Sequence, residues 1–242
     1  DEPDAYGSVA NEIPGVYRTL KATGVKQPIE VTLGPETLGL GKNLSFWTNF
    51  SDIIQLDRYP VPGNPLTWVS DFTREAASYK QPWQNLQYVL QSGWKKDLSN
   101  QPSVAQARSM AYLALIEGAK GIWWYSMREG DGWDLTKTPL WPHMKEINAE
   151  IKVLSEPMMI GTVIEGVSCD QPKVLFRAVE YQNKTYLLVT NPEDEPVKVT
   201  FTLPAKLRSW HPLNSTTSNK LTNHQLILSL QGTDSRTFVL EE

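Results

Sequence analysis

Carboxylates stand at or just after the ends of several short apolar runs in this chain. Asp1 and Glu2 open it, Glu36 follows Pro28–Leu33, Asp57 closes Asp52–Asp57, and Glu129, Asp131 and Asp134 follow Gly121–Ser126. A protonated carboxyl beside an ionised one can protonate a leaving group and manage the charge that develops, which is general acid–base chemistry. Tryptophan is the second unusual resource. There are nine, and all but Trp210 lie before residue 150. Aromatic faces fill cores, but they also stack on sugar rings and bases. The asymmetry predicts that the two parts of the chain do different jobs.

Other chemistries find little support. Cys169 is the single cysteine, so the chain holds no internal disulfide and no cysteine-based metal site. His143, His211 and His224 are far apart and follow no ligand spacing. Neither zinc catalysis nor a Ser-His-Asp hydrolase is expected, and no metal or cofactor. His143, after Pro142, reads as a surface or capping residue. No glycine-rich phosphate loop matches. Four N-x-[ST] sequons, at Asn43, Asn49, Asn183 and Asn214, carry little weight because the motif is short. A net charge of −4 argues against a nucleic-acid platform. No apolar run of about 18 residues predicts a membrane span. The first residues do not read as a signal peptide, and an extracellular or periplasmic location is favoured over a cytoplasmic one.

The elements that must position these residues fall into two patterns. Residues 1 to 161 alternate strand and helix. Helices are expected over Ile13–Thr23, Asn64–Tyr79 with Pro65 in its first turn, and Pro142–Ser155; Leu38–Phe50 reads as helical or irregular. Strands are expected over Pro28–Leu33, Asp52–Asp57, Asn85–Gln91 and Gly121–Ser126. The best-signalled helix starts at a capping box of Ser103 and Gln106, after which Val104, Ala107, Ala111 and Ala114 share a face. Such alternation predicts a parallel sheet with helices packed outside it. Residues 162 to 242 offer strands only, at Lys173–Gln182, Thr185–Thr190, Val197–Leu203, Gln225–Leu230 and Arg236–Leu240, which predicts an antiparallel β-sandwich.

Three segments together carry a resemblance. Asp1-Glu2-Pro3-Asp4 resembles the D-E-P-[DE] motif that ends the fourth strand in some TIM-barrel glycoside hydrolases. Asp52 through Pro60 resembles their D-x-[IV]-x-x-D-x-Y-P segment at the sixth strand. Arg108 through Tyr125 resembles their passage into the eighth strand, and Pro142–Leu154 their closing helix. The C-terminal sandwich is a common companion of these barrels. The resemblance implies α/β plus all-β architecture: a half (β/α) barrel of about four units as the catalytic domain, then the sandwich.

The chain also departs from the pattern. A complete barrel has eight βα units, and only the last four are counted here. Open parallel edges invite pairing, so self-association is expected, with a symmetric homodimer favoured over a fragment of a longer protein. Retaining members of the large barrel clan usually carry a glutamate at the end of strand seven. Here that strand, Gln87–Gln91, has no carboxylate.

The resemblance implies roles. Glu2 is the first choice for the general acid/base, with Asp1 polarising or holding its partner. Asp57 is the next choice, as base, nucleophile or hydroxyl ligand. Carboxylates about 5–5.5 Å apart give retention and about 6.5–9.5 Å apart inversion, while in substrate-assisted hexosaminidases a substrate acetamido group replaces the protein nucleophile. Trp133 and Trp94 are expected to stack on sugar faces. Glu129 and Asp131 are expected to bind hydroxyls, as is Gln91. Tyr59 shapes a loop or touches substrate. Of Trp123 and Trp124, strand alternation sends one to the barrel and one to the helices. Plainer readings stand beside these: a solvated Asp1–Glu2 terminus, an Asp57–Arg58 ion pair, a loop carboxylate at Glu36. The leading function is hydrolysis of β-linked glucosides or related sugars. The alternative is a non-catalytic carbohydrate-binding or barrel-completing subunit.

Overall fold

A computed structural model describes residues 2–3, 11–34 and 44–242. Asp1, Asp4, Glu36 and the Asn43 sequon lie outside the described residues. Helix α1 spans Ile13–Ala22 and β1 Glu30–Leu33; a short α2 covers Leu44–Trp47 and runs into a 3-10 turn at Thr48–Phe50. Then come β2 (Ile53–Asp57), α3 (Trp68–Tyr79), β3 (Asn85–Gln91), α4 (Val104–Ile116), β4 (Gly121–Tyr125) and α5 (Trp141–Ile160). Strands β1 to β4 form one parallel sheet in chain order, with helices in the crossovers.

One face of this sheet makes the core. Val31, Leu33, Ile54, Leu56, Leu86, Tyr88 and Leu90 alternate outward along their strands and pack with Val69, Phe72, Met110, Ala111 and Ala114 of the helices. Burying each large side chain contributes about 1.5–3 kcal/mol. The capping box that opens α4 is formed: Ser103 Oγ accepts from the Gln106 N–H, and Gln106 Oε1 accepts from the Ser103 N–H. Helix α4 buries more than one stripe, since every residue from Ser109 to Leu115 is buried. A helix apolar all round is one packed on both sides, and α4 lies between the parallel sheet and the second domain.

The chain leaves α5 at Gly161 and enters the antiparallel part. Its strands are β5 (Thr162–Val163), β6 (Ser168–Cys169), β7 (Leu175–Tyr181), β8 (Lys184–Asn191), β9 (Val197–Thr202), β10 (Ser209–Pro212), β11 (Asn219–Lys220), β12 (Gln225–Leu230) and β13 (Asp234–Glu241). A six-stranded sheet, ordered β11-β10-β13-β8-β7-β5, faces a three-stranded sheet, ordered β12-β9-β6. Leu187, Val189, Phe238 and Leu240 of the first interdigitate with Val199, Phe201, Leu226 and Leu228 of the second. The other face of the larger sheet rests on α4 and α5 through Val179 and Leu188 against Tyr112, Leu115, Ile116, Leu154 and Met158. Two hydroxyl pairs cross that junction, Ser109–Thr190 (3.1 Å) and Tyr112–Thr237 (3.0 Å). The architecture is a half (β/α) barrel followed by a β-sandwich.

Three expectations about elements need correction. Helix α3 begins at Trp68, not Asn64, because a residue that precedes a proline, as Asn64 does Pro65, is biased away from helical geometry. Helix α5 continues past Ser155 through Pro157, because Leu154, Pro157 and Met158 are buried and the packing outweighs the lost hydrogen bond. The short strands β5, β6, β10 and β11 have too few residues to show alternation and went unforeseen. Among the described residues no helix is long and apolar enough to cross a membrane.

Candidate active site

The inner face of the parallel sheet is polar. Register aligns Thr32, Gln55, Gln87 and Gly121 in one row and Asp57, Val89 and Trp123 in the next, toward the C-terminal ends. Thr32 Oγ1 donates to Gln55 Oε1 (2.8 Å), and Trp123 Nε1 donates to Gln87 Oε1 (2.6 Å). Trp123 is 55% exposed on this face, whereas Trp124 turns outward and donates to Asn148 of α5. A cavity of about 470 Å³ opens over these rows, lined by Glu2, Glu30, Thr32, Gln55, Asp57, Tyr59, Val89 and the Trp123–Tyr125 strand end. Its size is that of a small-molecule site, and its place, beyond the C-terminal strand ends, is where TIM-type sheets carry catalysis.

Glu2 is held at the end of β1. Its backbone N–H donates to Thr32 O (3.0 Å). Its carboxylate lies so close over Gly34 that a Cβ there would come within 2.8 Å of Oε1, so this position accepts only glycine without a shift. Asp57 ends β2 and faces the cavity. Arg58, next along the strand, lays its guanidinium on the other side, 4.0 Å from the Trp68 ring centroid. Tyr59 continues the β2 direction and stacks on Tyr125 with ring centroids 5.7 Å apart and planes 8° from parallel.

These groups form one electrostatic unit. Burial, then the neighbouring Asp57, Tyr125 and Glu2, push the Tyr59 phenol far above its ordinary range. The Tyr59 hydroxyl is buried beside Asp57, but their contact falls short of good hydrogen-bond geometry. A hydrogen bond to Glu129, with burial and the charges of Glu129, Asp57 and Glu2, pushes Tyr125 up to about 12. Both phenols therefore stay protonated and act as donors at neutral pH. Burial also raises Glu30 at the far end of the cavity.

Of the residues expected to act, Glu2, Asp57 and Tyr59 meet at one cavity, and Glu129 reaches it through Tyr125. Trp94 stands behind Tyr59, ring centroids 4.9 Å apart, and props that ring instead of lining the cavity. Asp131 is exposed and caps its own turn by accepting from the Trp133 N–H (3.0 Å).

Two expectations are corrected. Trp133 is 2% exposed, packed among Ala107, Leu135, Leu140, Met144 and Ile147, and donates to Ser126 O (2.8 Å); no face is left for a sugar. It also presses on Gly93, whose φ of +111° and lack of Cβ admit the ring. Gln91 is wholly buried. Its Oε1 accepts from the Val61 N–H (2.9 Å), and its Nε2 donates to Val61 O and Asn100 O. With both ends of its amide engaged, it ties the loop after β2 to the loop after β3 and has nothing to offer a hydroxyl.

Trp123 is the member of the Trp123–Trp124 pair that faces the barrel, as alternation left open, while Tyr125, Thr32, Gln55, Gln87 and Glu30 were not foreseen at the site. The signal was available: Glu30 and Thr32 in β1, Gln55 and Asp57 in β2, and Asn85 and Gln87 in β3 stand two apart and give the sheet a largely polar face, unlike the continuous apolar runs of fully buried parallel strands. Among the described residues no group of three or more His, Cys, Asp or Glu could hold a metal ion.

No family model and no curated protein matches this sequence. Solved structures do resemble it. Alpha-galactosidase I from Mortierella vinacea superposes with a TM-score of 0.60 at 10% identity, over 97% of this chain and 63% of that one. The maltogenic alpha-amylase AmyB from Thermotoga neapolitana gives 0.56 at 14% identity, over 96% and 58%. An alpha-amylase from Geobacillus thermoleovorans gives 0.50 at 12%, over 97% and 64%. The chain thus spans about 60% of the length of these neighbours. At such low identity the shared property is the fold, a part-barrel with an antiparallel domain behind it.

Proposed function

We propose that the protein is a glycoside hydrolase acting on β-linked glucosides or related sugars. The observation that carries this reading is the convergence of Glu2 and Asp57 with the donors Tyr59 and Tyr125 over one open cavity. Glu2 protonates the departing glycosidic oxygen. Asp57 faces the opposite charge that grows at the anomeric carbon. The exposed Trp123 indole, fixed by its bond to Gln87, gives the sugar an apolar face to lie on. The fold of the solved neighbours supports the reading without specifying the sugar or its linkage.

In the same reading a second copy pairs against the sheet edges of β1 and β4 and closes the inner face. Light scattering on the purified chain tests this, with a mass of about twice 27.3 kDa expected. The observation that favours the alternative, a carbohydrate-binding or barrel-completing subunit, is Gln91. It occupies the strand end where a second carboxylate would be expected, and its amide is fully engaged. A panel of aryl α- and β-glycosides separates the readings. Hydrolysis that falls at least a hundredfold in Glu2→Gln supports the enzyme; sugar binding without hydrolysis supports the binding module.

A further inference from the structure

The geometry points to a second carbohydrate site, a groove at the junction of the two domains that takes a chain of neutral sugar units. Two cavities adjoin there, of about 260 and 320 Å³, and Glu150 and Asn214 line both. One wall is a face of α5, where Glu146, Ala149, Glu150 and Val153 share one side of the helix. The other is the loop after β10. Leu213 pins that loop: its N–H donates to Thr237 O (2.9 Å), and its side chain packs on the apolar cluster at the junction. A turn bond from the Ser215 N–H to Pro212 O (2.9 Å) encloses Asn214. The groove is therefore preformed. None of its residues lines the cavity of the parallel sheet, so the inference stands apart from the hydrolase reading.

In the first of the two cavities the charges cancel. Arg108 Nε meets Glu150 Oε2 (3.2 Å), and Arg236 grips Asp234 through Nη2 (2.6 Å) and Nε (3.2 Å). An anion would meet Glu150 and Asp234, and a cation the two arginines, so the lining favours a neutral ligand. Pairing fixes these side chains yet leaves hydrogen-bonding capacity over. Among the described residues no hydrogen bond takes up Nη1 or Nη2 of Arg108, Oε1 of Glu150 or the side-chain amide of Asn214. A guanidinium, a carboxylate and an amide offer donors and acceptors side by side, as neighbouring sugar hydroxyls do. Val153, 53% exposed, gives the C–H face of a ring an apolar surface. The Tyr112 hydroxyl is spent on Thr237 and only backs the groove. Two adjoining cavities suit successive units of a chain better than a lone monosaccharide.

Electrophoresis of the native whole chain through gels holding mixed-linkage β-glucan, starch, xylan or galactomannan tests the inference. At least one polysaccharide is expected to retard the chain. Asn214→Ala should weaken that binding about fivefold, the worth of one hydrogen bond. Adding Ala149→Arg, which fills the groove from the exposed side of α5, should abolish it. Neither variant should change the rate on any aryl glycoside. Asn214 is exposed and its side chain holds nothing in place, so the single substitution carries the test even if the double variant unfolds. Retardation by none of these polysaccharides overturns the inference, as does retardation that Asn214→Ala leaves unchanged; if Trp123→Ala then removes it, the binding belongs to the cavity of the parallel sheet. Retardation lost with the groove in a chain that cleaves no aryl glycoside supports the groove and counts against the hydrolase reading alone.

Discussion

The parallel sheet and the six-stranded antiparallel sheet both rest one face on helices, yet they use the other face differently. The antiparallel sheet spends it on the three-stranded sheet, where Phe201, Leu226 and Leu228 fill the space between. The parallel sheet leaves it to Glu30, Thr32, Gln55, Asp57 and Trp123 around a cavity. One sheet is packed on both sides and can only hold; the other is packed on one side and can act. Chemistry in this molecule is concentrated where packing stops.

Substitutions should separate the two faces. Glu2→Gln is expected to have the largest effect, lowering kcat about 10²–10⁴-fold on whichever aryl glycoside is cleaved, with an unchanged urea midpoint. A large fall in the midpoint would mean that Glu2 holds the fold. Phe201→Ala, on the packed side, is expected to cost about 3–5 kcal/mol in urea unfolding while sugar affinity per folded molecule stays constant.

Gln91→Leu falls between the two regions. It strands the Val61 N–H, Val61 O and Asn100 O, so a loss of about 1–3 kcal/mol is expected. Weaker sugar binding should accompany it, because the loop carrying Tyr59 loses its tie; intact affinity would confine Gln91 to stability. Tyr112→Phe, at the junction of the domains, is expected to cost about 1 kcal/mol, read in the same unfolding assay, and to leave sugar binding alone.

The smallest expected effect sharpens the contrast between the two ends of the parallel sheet. Asp52 lies just before β2, away from the cavity end, and accepts from Tyr17, Lys21 and the Ile29 N–H. Burial opposes its charge, but these donors outweigh burial and hold its carboxyl below the usual range. Its contribution is therefore present above the ordinary carboxylate pKa and is lost as pH falls through the lower folded value. Asp52→Asn should be less stable than the parent at neutral pH, with the gap closing in acid. A gap independent of pH would show that the charge is not what matters.

How far these features could be read in advance varied with their physical origin. Strand β3 and the capped start of α4 are local facts, written in alternation and in two side chains three residues apart. The split into a parallel sheet with helices and an antiparallel sandwich followed from the change of pattern near Gly161, and the half-barrel from the resemblance of its motifs to barrel glycoside hydrolases. Helix α4 was legible as one face, Val104 to Ala114, but its burial on both sides depends on a partner sheet some 80 residues away. At the site, the resemblance and the strand-end positions pointed to Glu2 and Asp57, and the structure brings them together with Tyr59 around one cavity. Trp133 and Gln91 misled because residue type does not disclose burial: an indole that fits over Gly93 and an amide that ties two loops look, in one dimension, like sugar ligands.

The Trp123–Gln87 bond gives the molecule a built-in optical gauge. Of the three most exposed indoles, Trp83, Trp123 and Trp141, only Trp123 lines the cavity. Its emission should be red-shifted by water and open to quenching by iodide, while Trp47 and Trp133 glow unaffected from dry surroundings. A sugar settling on the inner face would shield that one ring, so occupancy becomes readable as colour and quenching, with no label attached to either partner.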